Sequence, residues 1–110
     1  MNSKDFEQVV SDQIKYSLDL LLSKGNEYST EGDKLIAFKK AAALQSITPK
    51  QALFGMASKH FVSLGDMIHD DSDYSEHRWT EKITDSINYL LLLNALVREE
   101  KEKTIPLTKG

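Results

Sequence analysis

Cysteine is absent from this 110-residue chain. That excludes disulfide bridges and thiolate metal centres and leaves the redox compartment unmarked. Glycine occurs five times and proline twice, and the glycines are too scattered to form a phosphate-cradling loop. Neither sign of charge dominates: 14 Lys and Arg stand against 17 Asp and Glu, a formal net charge of −3. Coating a nucleic acid normally takes a basic surface, so nucleic acid is not an expected partner. The longest apolar run, Tyr89 to Leu93, is far too short to cross a membrane. Asp5 and Glu7 stand where a secretory signal would be basic. An intracellular, cytoplasmic protein is therefore expected. No segment alternates apolar and polar residues with turn chemistry at its ends, so no sheet is expected.

What remains is a helical pattern. Apolar residues make up 40% of the chain, enough for one modest core. A chain this short buries a limited share of its surface, so self-association is a natural source of further stability. Four helical segments follow from apolar spacing. The first covers about Lys4 to Ser23, with Phe6, Val10, Ile14, Leu18 and Leu21 as its inward stripe and Gly25 as its stop. A polar connection from Lys24 to Gly32 follows. The second covers about Asp33 to Gln45, with Leu35, Phe38 and Ala42 inward.

The third segment starts at Thr48-Pro49-Lys50-Gln51 and runs to about His69. Thr48 can cap, Pro49 has no N–H to leave unsatisfied, and Gln51 can close a capping box. Leu53, Ala57, His60 or Phe61, Leu64 and Ile68 share its inward stripe. Asp70 to Asp73 break the pattern, Asp73 and Glu76 read as a second capping box, and the fourth segment runs to about Lys101. Between Ile87 and Val97 that last helix is apolar nearly all round, as befits a helix buried on more than one side. The expected fold is all-α, a four-helix bundle-like domain over 1–103 with a long central C-terminal helix. A flexible tail is expected over 104–110.

Two helix faces carry polar groups at helical spacing. Lys59, Ser63, Asp66 and Asp70 share one; Glu81, Asp85 and Asn88 share the other. On antiparallel neighbours the faces can meet, and carboxylates from two helices are a recurrent way to hold a hard cation such as magnesium. The competing reading is a pair of solvated faces with ordinary ion pairs, Lys59 with Asp70 among them. Asp85, Asn88 and Asn94 sit in or beside the most apolar stretch, where a carboxylate needs a partner. Lys59 or Lys82 could supply it, or a ligand could. His60, at the edge of an apolar stripe, reads first as a hydrogen-bonded core residue. His69 and His77 flank the acidic break and read as exposed, so the three histidines make no zinc signature. Trp79 reads as an anchor for the fourth helix, with stacking on a base as the alternative. Asn26, Glu27 and Tyr28 lie between glycines in the first connection, and Tyr28 can pack on the bundle or border a site.

The segment Trp79-Thr80-Glu81-Lys82-Ile83-Thr84-Asp85-Ser86-Ile87-Asn88-Tyr89-Leu90-Leu91-Leu92 resembles the later metal-binding helix of the all-α, MazG-like nucleoside triphosphate pyrophosphohydrolases. The stretches Lys24–Tyr28 and Met56–Asp66 are similar to small phage and prophage proteins distantly related to that group. The resemblance spans roughly Leu18 to Val97 through short motifs. It implies a helical fold and magnesium ions that bind a triphosphate and activate water. Asp85 matches the final aspartate of the family pattern, but Lys82 stands where a glutamate is expected, with Glu81 beside it. Lys59 and Val62 replace the two glutamates of the earlier helix, leaving Asp66 one turn on. Each lysine for a carboxylate changes the local charge by about two units, which disfavours a multi-magnesium cluster.

The resulting expectation is a phage-type, nucleotide-binding or nucleotide-processing helical protein, in the host cytoplasm if phage-encoded. Lys24, Tyr28, Lys59, Lys82 and Asn88 are its candidate nucleotide-binding residues. Asp66, Glu81 and Asp85 are its candidate metal ligands, with magnesium as the candidate ion. The alternative is a non-enzymatic, homo-oligomeric helical module that binds a protein partner.

Overall fold

The computed structural model describes residues 1–28 and 32–104, with the side chains of 1–23 and 32–102 among them. Four helices account for nearly all of these residues: α1 (Ser3–Tyr28), α2 (Ile36–Gln45), α3 (Pro49–His69) and α4 (Glu76–Thr104). No strand occurs among the described residues. The all-α, bundle-like fold with a long C-terminal helix is thus as the sequence indicates.

The helix boundaries follow local chemistry. Asn2 caps α1, its Oδ1 accepting from the Asp5 N–H at 2.8 Å. Gly25 does not end α1, which continues to Tyr28. One glycine in a helix interior costs only about 1 kcal/mol relative to alanine, and neighbouring turns absorb it. Before α2, Asp33 accepts from the Leu35 N–H. After it, Ser46 takes the left-handed conformation while the Ile47 N–H returns to the Ala42 carbonyl, a closure that satisfies late helix carbonyls. Two residues later the Thr48–Gln51 capping box opens α3, with Pro49 in its first turn. The cap of α4 is Ser75 rather than Asp73: Ser75 Oγ accepts from the Arg78 N–H at 3.1 Å. Asp70 organises the break instead, accepting from the Ser72 N–H and from the Tyr74 hydroxyl at 2.6 Å. These bonds, the Tyr74 hydroxyl foremost, hold the Asp70 carboxyl below its ordinary range.

The core lies among α2, α3 and α4. Leu35, Phe38, Leu53, Ala57 and Leu96 form its buried cluster, flanked by Met56, Phe61, Tyr89 and Leu92. The Lys39 ammonium adds a polar tie, reaching Asp33 at 2.6 Å and Glu99 at 2.7 Å. α3 runs antiparallel to α4, since His60 meets Asp85 while Met56, one turn earlier, shares a cavity with Leu92. α1 runs parallel to α4: Gln13 bonds Thr84, and Leu20 and Leu21 border the same cavity as Asn88 and Leu92. α2 and α3 lie between them in the chain, which gives the length a parallel return needs.

The inward stripe expected for the first helix is overturned. Phe6, Val10, Ile14 and Leu18 are exposed, and only Leu21 is half-buried. The α1 face that meets α4 carries Gln13 and Ser17 instead. Gln13 Nε2 donates to Ser17 Oγ at 2.9 Å and to Thr84 Oγ1 at 2.7 Å. Ser17 and Thr84 are almost wholly buried; small side chains let the two backbones approach, and the shared amide answers their polar atoms. In α3 the deepest residues beyond the capping turn are Leu53, Ala57 and Met67, whereas Ile68 is exposed.

Candidate functional site

A cavity of about 470 Å³ opens among the four helices. Leu20 and Leu21 of α1, Phe38 of α2, Met56 of α3 and Leu92 of α4 supply its apolar walls. Its polar groups are Lys34 ahead of α2, His60 of α3, and Asp85, Asn88 and Tyr89 of α4, with Asp85 and Asn88 on the α4 face singled out in the sequence. Asp85, Asn88 and Tyr89 fall three, four and one residues apart, so they project toward one side of the helix.

Asp85 Oδ2 lies 3.5 Å from His60 Nδ1 across the α3–α4 interface. The His60 ring sits against Tyr89, with centroids 5.0 Å apart and planes tilted by 30°. Burial pushes the Tyr89 hydroxyl above its ordinary value, and the Asp85 carboxylate adds to the effect. Tyr89 is therefore a neutral phenol through the physiological range, able to donate. Asn88 is only 8% exposed, and its Oδ1 has no hydrogen-bond partner among the described residues. An unsatisfied buried acceptor costs about 1–3 kcal/mol, and Asn88 is one of the residues that line the cavity. Lys34 stands at the cavity edge and borders a second hollow of about 620 Å³ beside Leu35 and Ala95.

Of the residues proposed from the sequence, Asp85 and Asn88 line this cavity. Lys59, Asp66 and Glu81 are exposed on the outer surfaces of α3 and α4, and none of them lines it. Lys82 is half-buried but also lies off the cavity, and its backbone carbonyl accepts from the Ser86 hydroxyl. The group that faces Asp85 across the interface is His60, not Lys59 or Lys82. Asp66, Glu81 and Asp85 are not brought together: among the described residues no three His, Asp or Glu side chains converge as a cation cluster. A single carboxylate facing an imidazole is a poor fit for magnesium, which prefers several oxygen donors. The side chains of Lys24 and Tyr28 lie outside the described residues.

His60, Tyr89 and Lys34 are site residues that helical spacing left unassigned. A signal existed for two of them. Tyr89 is one turn beyond Asp85, and His60 falls on the α3 stripe that faces α4. His69 and His77 are exposed. Trp79 meets Tyr74 edge-on, with centroids 6.0 Å apart, in keeping with an anchoring role.

Comparison of the chain with protein-family models, with curated proteins and with solved structures gives no match.

Proposed function

We propose that the protein binds a nucleotide or related small molecule, holding its planar heterocycle in the four-helix cavity. The observation that carries this reading is the Asn88 carbonyl oxygen, buried at the cavity wall without a partner. An amino-bearing heterocycle supplies the donor that this oxygen lacks. The His60–Tyr89 pair offers an aromatic surface, and the aliphatic walls suit the faces of a base. The volume falls within the range usual for small-molecule sites, about 300–1,000 Å³. Lys34 at the edge would meet a phosphate-bearing end. The choice of a nucleotide among heterocyclic ligands leans on the resemblance of residues 79–92 to the MazG-like helix. The reading is of binding, with no hydrolytic step assigned and no metal required.

Titration calorimetry of the full chain tests it, against nucleosides and nucleoside mono-, di- and triphosphates, with and without magnesium. Saturable heat is expected with amino-bearing bases and not with magnesium alone. The heat should be lost in Asn88→Leu while far-ultraviolet circular dichroism is unchanged. A silent panel would sink the reading. A second reading, an oligomeric helical module, is favoured by the exposed apolar side chains of α1.

A further inference from the structure

Most of the exposed apolar residues of α1 fall in one row, with Val9 and Tyr16 off it. Phe6, Val10, Ile14, Leu18 and Leu22 recur every fourth residue, and their exposures are 59, 38, 61, 47 and 60%. Residues at this spacing form one continuous ridge on a helix surface, here about 24 Å long. Ridges of this kind interdigitate with one another in the commonest class of helix–helix packing, crossing at about −50°.

We propose that this ridge is a homodimer interface, in which α1 of a second copy crosses it antiparallel with Ile14 on the two-fold axis. In that register Ile14 meets its own counterpart and Val10 meets Leu18, while Phe6 and Leu22, about 80° to either side of Ile14 around the helix, flank the contact. Each side of the match is apolar, as a self-complementary interface requires.

Three observations select a second copy as the occupant. First, the chain exposes 8328 Å², whereas a compact monomer of 12.5 kDa exposes roughly 6,200 Å². Part of that exposed surface is the α1 ridge, whose five large apolar side chains are each more than a third exposed, and a stable interface takes roughly 800 Å² from each partner. Second, the radius of gyration is 16.6 Å, against about 13 Å for a compact domain of this length. The chain is more extended than a compact domain of its length. Third, the remainder of α1 carries Asp5, Glu7, Asp12, Asp19 and Glu27 against Lys4, Lys15 and Lys24. That acidic excess disfavours an anionic membrane surface, which amphipathic helices recognise with basic residues.

The dimer also bears on the cavity. Leu20 and Leu21 form its α1 wall, while Leu18 and Leu22 stand on the outer side of the same turns. A second copy would back that wall. The inference does not rest on the nucleotide reading, and its test needs no ligand.

Sedimentation equilibrium of the full chain across low to high micromolar concentrations is expected to give twice the mass of the 12.5 kDa chain. Ile14→Glu places two like charges at the axis and should weaken dimerisation by about 100-fold or more, with the helical spectrum kept. Ile14→Cys reports on geometry even if that variant fails to fold, because the chain has no other cysteine. Under mild oxidation Ile14→Cys should form a covalent dimer, and Gln8→Cys, on the polar side of α1, should not. Wild-type protein that stays monomeric, including one that binds phosphatidylglycerol vesicles or another protein instead, overturns the proposal. So does a dimer that survives Ile14→Glu and does not cross-link through Ile14→Cys.

Discussion

His60 and Asp85 join α3 to α4 at the wall of the cavity, Nδ1 to Oδ2 at 3.5 Å, and Tyr89 is placed beside both. The imidazole lies against the Tyr89 ring, and Asp85 precedes Tyr89 by one helical turn. The phenol thus occupies a half-buried pocket next to a carboxylate, and both features disfavour its ionised form.

That geometry fixes the alkaline behaviour. Burial is the larger cause of the raised Tyr89 pKa and Asp85 the smaller. A group whose folded pKa is raised contributes stability below its unfolded value, near 10, and loses it as pH climbs through the folded value. Wild-type stability should therefore fall above about pH 10 more steeply than that of Tyr89→Phe, read from urea melts between neutral and alkaline pH. In Asp85→Asn the phenolate absorbance should appear at a lower pH than in wild type, yet still above that of free tyrosine. Ionisation of Asp85→Asn at the free-tyrosine value would show that burial is not the main cause.

Asn88 sets stability against binding. Its carbonyl oxygen is buried and unpaired, so the folded chain bears a desolvation cost of about 1–3 kcal/mol when no ligand is present. Asn88→Leu keeps the branching and heavy-atom count of the side chain, though it is bulkier, and removes both amide atoms. The ligand-free variant is expected to be as stable as wild type or about 1 kcal/mol more stable in urea melts. A loss above about 2 kcal/mol would mean that the amide is already satisfied within the fold.

The sequence carried the fold further than the site, for identifiable reasons. Thr48-Pro49-Lys50-Gln51 encodes its helix start locally, through atoms three residues apart, and the capping box formed as read. Leu35, Phe38, Ala42, Leu53 and Ala57 are buried as their spacing indicated. The error on α1 has a physical source. Apolar period reveals which face of a helix seeks cover, but not whether the same chain supplies it. Gln13 and Ser17 looked like interruptions and became the α1–α4 contact, because two small or bonded polar groups let helices approach where bulky ones would not. Asp85 and Asn88 were legible as polar residues in an apolar helix. Lys59 and Asp66 share one helix face and Glu81 shares another with Asp85, at the right spacing, but the rotation of α3 against α4 decides which residues meet. That rotation brings His60 to Asp85 and leaves Lys59, its neighbour in the chain, in solvent.

The Gln13–Thr84 bond predicts which part of the molecule opens first. Among the described residues, none of α1 belongs to the buried cluster formed by Leu35, Phe38, Leu53, Ala57 and Leu96. α1 is held to α4 chiefly by the Gln13 amide, Ser17 and Thr84, where Thr84 is 0% exposed. Thr84→Val keeps the shape and removes one acceptor, which should cost about 1 kcal/mol. Gln13→Ala should cost a similar amount. The two losses share one hydrogen bond, so the double variant should lose at least about 0.5 kcal/mol less than their sum. Under native conditions, amides of α1 near Ser17 should exchange faster in Thr84→Val, while those of α3 around Leu53 and Ala57 keep the wild-type rate. Elements with few buried apolar contacts open without the rest of the fold, and α1 is such an element in the single chain. Equal acceleration in α1 and α3 would instead show that the polar contact belongs to one cooperative core, and α1 would then need no second copy to hold it.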